Sequence, residues 1–144
     1  MSQAKDLVSL INEMRTDRNL TPFNFNASLM AAAIAHSKYM QHSQHFAHIG
    51  AGGSTFHERI NAAEYLFMEA AENIAFCEGN ARAAFQIWMN SPAHHKNLIN
   101  PNFIHIGVGL TPSYKTTQNG PKMYYWTANF AQPLAFEDQK QLDL

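Results

Sequence analysis

The feature that most constrains this chain is a single change of hydrophobic period. Through the first hundred residues apolar side chains recur at helical spacing, and from Phe103 they alternate. Leu7, Leu10, Ile11 and Met14 fall at i, i+3, i+4 and i+7, one stripe on a helix predicted from about residue 4 to 18. Asn19 suits its left-handed end, and Pro22 keeps the chain from continuing. Leu29, Ala32, Ala33, His36 and Met40 share one face of a second helix, capped by Asn26 or Ser28 and running to about residue 41. Its alanines imply close packing on a neighbouring layer. Thr55, three residues before Glu58, forms a capping box for a third helix to about residue 63. Asn80 caps a fourth over about 80–90, with Ala81, Ala84, Phe85 and Trp88 as its buried stripe. Ser91-Pro92 stops it and opens a short helix with His94 and His95 in its first turn.

Two strands follow. Phe103 to about residue 111 reads as a buried strand whose glycines mark close approaches, and residues 122–130 as a second, with a polar loop between. Helices first and strands after predict an α+β fold with an antiparallel sheet rather than repeated βαβ units. At 144 residues the expectation is one domain over 1–144, its core spanning about 5–133 and the tail after Pro133 peripheral.

Composition removes several function classes. A formal charge of -1, with ten Lys and Arg scattered along the chain, leaves no footprint for nucleic acid or an anionic membrane. Cys77 is the only cysteine, which excludes an intrachain disulfide, a Cys-based zinc cluster and a CxxC redox pair. It reads as a small buried thiol. The apolar runs are too short for a transmembrane segment, and Met1 to Asp6 lack the apolar core of a signal peptide, so neither is expected in this sequence.

Eight histidines stand out. His42, His45 and His48 fall three apart, and on one continuous helix their imidazoles could share a metal; Gly50 and Gly52 point instead to a loop there. Most single histidines are surface or hydrogen-bonded core, so further signals are needed.

Those signals are segments. Phe46-Ala47-His48 resembles Phe-Ser-His, Ala71-Glu72-Asn73-Ile74-Ala75 resembles Gly-Glu-Asn-Ile-Ala, and residues 88–99 resemble Trp-Met-Asn-Ser-Pro-Gly-His-Arg-x-Asn-Ile-Leu. With Phe103, Gly107-Val108-Gly109 and Tyr125 to Phe130 in register, the chain resembles the CAP superfamily from about Leu7 to Phe130. These are the cysteine-rich secretory, antigen 5 and pathogenesis-related proteins, also called SCP-like, here in a short disulfide-free bacterial form.

The resemblance implies a three-layer α/β/α sandwich with a central antiparallel sheet and a cleft where His48, His94 and Glu72 converge. Relatives with a second acid place it three residues after the helix Trp; this chain has Ser91 there. Two imidazoles and a carboxylate form the ligand set of an open zinc site, so a divalent metal, zinc first, is the expected cofactor. The same groups could serve as base and orienting acid. Glu72 and Asn73 also have a bland reading, as hydrogen bonders between layers. Arg59 is expected to anchor a loop or a carboxylate, and His95 to lie at the surface.

The function expected from the resemblance is a secreted, periplasmic or envelope binding module holding a metal, with a small ligand, a lipid or a host or envelope protein as partner. The alternative is a metal-assisted hydrolase, a peptidase, using Glu72, His48 and His94 as its catalytic residues. A purely structural polar network is the third reading.

Overall fold

A computed structural model of the protein describes residues 2–115 and 119–134. The helices form where the apolar stripes place them: α1 Gln3–Asp17, α2 Ala27–Ser43, α3 Phe56–Ala62, α4 Ala81–Met89 and the short α5 Pro92–Leu98. Asn26 and Asn80 cap α2 and α4, and the Thr55–Glu58 capping box is formed with both hydrogen bonds. Asn19 takes the left-handed conformation beyond α1, at φ 60°.

The sheet contains β1 Asn24–Phe25, β2 Phe67–Glu78, β3 His105–Pro112 and β4 Met123–Pro133, in the order β1-β3-β4-β2. Its three long strands are antiparallel, as the alternation predicts; the two-residue β1 adds one parallel pairing with β3 and makes the sheet mixed. The sequence reading assigns no strand over residues 67–78, yet β2 is 12 residues long. Alternation is absent there because both faces are covered: residues 72–75 are all buried, and two of them, Glu72 and Asn73, are polar.

Helices α1 and α4 cover one face. Leu7, Ile11, Ala84 and Trp88 pack with Ile106, Val108, Trp126, Ala128 and Phe130 in the main core, where Cys77 is buried as expected. Burial, with the neighbouring charge of Glu78, pushes its thiol up to about 11. The opposite face carries α2 and α3, with Leu29, Ala32 and Ile60 against Ala131. Gly107 and Gly109 let α2 approach: a methyl on Gly107 would overlap the backbone of Leu29 and Met30. No described helix is long and apolar enough to cross a membrane.

Candidate functional site

Consecutive residues of a strand point to opposite faces, and at Glu72 and Asn73 that rule assembles the site. Asn73 faces α5: its amide donates to the His94 carbonyl at 3.1 Å and accepts from Asn97 at 2.8 Å, fixing the helix that carries His94. Glu72 faces α2 and α3 with its side chain fully buried. There Oε1 accepts from His48 Nδ1 at 2.9 Å, while Oε2 accepts from Arg59 at 2.6 Å and from Asn129 at 2.9 Å. Burial alone would raise the Glu72 carboxyl. The His48 hydrogen bond and the charge of Arg59, with His36 and Asn129, outweigh it and hold the group below the ordinary carboxylate value.

The loop bearing His48 is held from below. Helix α2 ends at Ser43, and Gln44 turns the chain through a left-handed conformation. His42, His45 and His48 therefore do not share one helical face, and the loop reading suggested by the glycines holds. His36, 1% exposed, donates from Nε2 to the Ala47 carbonyl at 2.8 Å. Arg59 donates to the carbonyls of His48 and Ser54 at 2.9 and 3.0 Å. Gly50 fits under this arrangement because a Cβ there would lie 2.9 Å from the Arg59 guanidinium and 3.1 Å from His36 Nδ1. Arg59 thus anchors both a loop and a carboxylate. Burial lowers the His36 pKa, more than the nearby Glu72 raises it.

Of the three residues expected to converge, His48 and Glu72 are bonded directly. For His94, burial first and then the like charge of His48 lower the pKa. A cleft of about 730 Å³ runs beside β2, lined by residues 69–72, His48 and Phe56, and across from them by Lys96, Asn97 and residues 99–101; His94 is not among the residues lining it. His95 differs from the surface expectation: it is half-buried, with Nε2 enclosed and without a hydrogen-bond partner.

The donor set left over by these bonds defines what the site can do. His48 gives its Nδ1 proton to Glu72, so the lone pair of its 48% exposed ring is on Nε2. His94 Nδ1 is buried and unpartnered. Both oxygens of Glu72 are spent on protein donors, and among the described residues no three His, Cys, Asp or Glu are grouped as metal ligands. Residues that sequence reasoning missed are His36, taken only as part of a helix stripe, Asn129, hidden in a strand, and Arg15. Arg15 is fully buried and donates to the carbonyls of Thr21, Leu98, Asn100 and Phe103, which braces the far wall of the cleft.

Comparison with known proteins gives a consistent result. The model of the cysteine-rich secretory protein family (CAP) matches residues 8–130. An uncharacterized membrane protein of Bacillus subtilis, YlbC, is 30% identical over 112 residues, 78% of this chain. The chain spans only 32% of that relative's length. Among solved structures, an extracellular protein of Bacillus anthracis containing an SCP domain superposes with a TM-score of 0.77 at 31% identity, over 90% of this chain and 40% of the other. An outer surface protein of Borrelia burgdorferi also reaches 0.77, at 25% identity and over 92% and 93% of the two chains.

Proposed function

The chain belongs to the cysteine-rich secretory protein family, and from that membership we propose that it is a binding module of the extracellular space or cell envelope that takes a divalent ion beside its cleft. The similarity to an extracellular and an outer surface protein supports the location. The observation that carries the metal reading is the 2.9 Å bond from His48 Nδ1 to Glu72. A carboxylate holding one ring nitrogen fixes the tautomer and aims the other nitrogen outward, the arrangement that orients metal-ligating histidines.

In this reading His48 and His94 hold the ion and water completes its shell, while Glu72 orients His48 and does not ligate. Bound zinc would supply Lewis acidity. Binding is favoured over the peptidase alternative because both Glu72 oxygens accept from protein donors, which leaves neither free to take a proton from a bound water.

Calorimetric titration with zinc at pH 7.5 and 5.5 tests the proposal. Neutral imidazole is the ligand, so affinity should fall at the lower pH, where protons compete near the ordinary histidine value of about 6.5. His48→Ala with His94→Ala should abolish binding in a folded protein. Undiminished affinity in that double variant, or no heat of binding from the wild type at pH 7.5, refutes it.

A further inference from the structure

The register of the sheet shows which backbone groups leave its open edge. In β4 the carbonyls of Ala131 and Met123 accept from Ile104 and Ser113, so the odd-numbered residues of β4 turn their backbone toward β3 and the even-numbered ones toward β2. The β2 partners of Phe130 and Ala128 are Ala71 and Asn73. The N–H and C=O groups of Ala70, Glu72 and Ile74 therefore project out of the sheet, because β2 is its edge. A second observation agrees: the Ile74 carbonyl accepts from the Trp88 indole, which is not on β4.

The edge is covered at Ile74, whose carbonyl accepts from Trp88. Before it, no hydrogen bond from the described residues reaches the outward N–H and C=O of Ala70 and Glu72. Native sheets cover or blunt such edges, and here the gap coincides with the cleft, whose lining includes residues 69–72. The opposite wall is set in place by Arg15, through the carbonyls of Leu98, Asn100 and Phe103.

We infer that the open stretch of β2 docks an extended peptide, which pairs with Ala70 and Glu72 as an added strand. The inference rests on reading the cleft as a binding site and not on the ion. Outward groups on a strand repeat every two residues, about 6.6–6.8 Å, with donor and acceptor together, and another extended backbone matches that repeat. A braced groove lowers the ordering cost of such a partner. Phe56, Ile99 and Pro101 offer an apolar surface for one alternate side chain, with Lys96 and Glu69 beside it.

The probe is a capped Lys-Val-Thr-Val-Thr-Lys hexapeptide, titrated into the isotopically labelled full chain and followed by amide NMR and hydrogen exchange. The amides of Ala70 and Glu72 should shift and gain at least about tenfold protection, while Ala71 and Asn73, already paired with β4, keep theirs. Two further peptides carry N-methyl groups on one or the other set of alternate amides; one should lose at least about tenfold in affinity and the other little. Ala70→Pro removes an outward donor without touching the β4 ladder, and should lose the peptide while binding zinc as the wild type does. Equal affinity of all three peptides overturns the inference, as do shifts confined to Phe56 and Ile99, which mark a small-molecule pocket, or no binding at millimolar peptide. Peptide binding without zinc binding would remove only the metal reading, and zinc binding without peptide binding only this one.

Discussion

Glu72→Gln perturbs the one group on which three donors converge. The carboxylate accepts from Arg59, Asn129 and His48 with its side chain fully buried, and Arg59 is itself only 12% exposed. Glutamine keeps one acceptor oxygen and turns an amide toward the other donors, so at least one loses its partner and the guanidinium loses its counter-charge. Removing one partner of a buried pair costs about 3–5 kcal/mol, and that is the loss expected in urea denaturation at pH 7.5. Adding Arg59→Met removes the orphaned cation and should restore part of it, so the two changes are non-additive. The pH dependence gives a second readout. The folded-state pKa of Glu72 lies below its ordinary 4.5, so its stabilisation is complete above that value and is lost as pH falls through the folded one. The gap between wild type and Glu72→Gln should therefore narrow below about pH 4.5. A loss under about 0.5 kcal/mol at pH 7.5, or a gap that does not change with acid, would refute the claim that this carboxylate holds the site together.

Trp88→Ala should cost about 3–5 kcal/mol in the same assay, since the side chain is fully buried and its indole covers the Ile74 carbonyl; equal midpoints would show that the α4 stripe is misread. Gly109→Ala places a Cβ 2.6 Å from the Ile34 backbone in α2, which cannot rotate aside as a side chain would, so the loss should reach the upper part of the ~1–3 kcal/mol overpacking range; an unchanged melting temperature would contradict that packing. His36, buried and with its pKa lowered from 6.5, adds stability that is lost as pH falls below about 6.5. His36→Gln keeps a donor for the Ala47 carbonyl and should shrink the drop in melting temperature between pH 7.5 and 5.5; His94 and His105, lowered by burial in the same direction, retain part of the slope, and an identical drop in both proteins would rule His36 out.

The sequence by itself determined the elements whose signals are local. Helical stripes, the Asn26 and Asn80 caps, the Thr55–Glu58 box and the alternation of β3 and β4 each depend on residues a few positions apart, and all are found where the residues place them. The family motifs pointed to His48, Glu72 and His94 as residues, but their geometry was not in the sequence. Strand β2 was illegible because burial on both faces erases the period, and the polar pair Glu72 and Asn73 carries no strand signal of its own. Those partners lie far along the chain: Arg59 is 13 residues from Glu72, His48 24 and Asn129 57. Only the tertiary structure decides that Glu72 spends both oxygens on protein donors, and that β2 lies at the edge of the sheet between His48 and α5. A buried carboxylate takes whatever donors packing brings within about 3 Å, and that packing is a property of the assembled layers rather than of any segment.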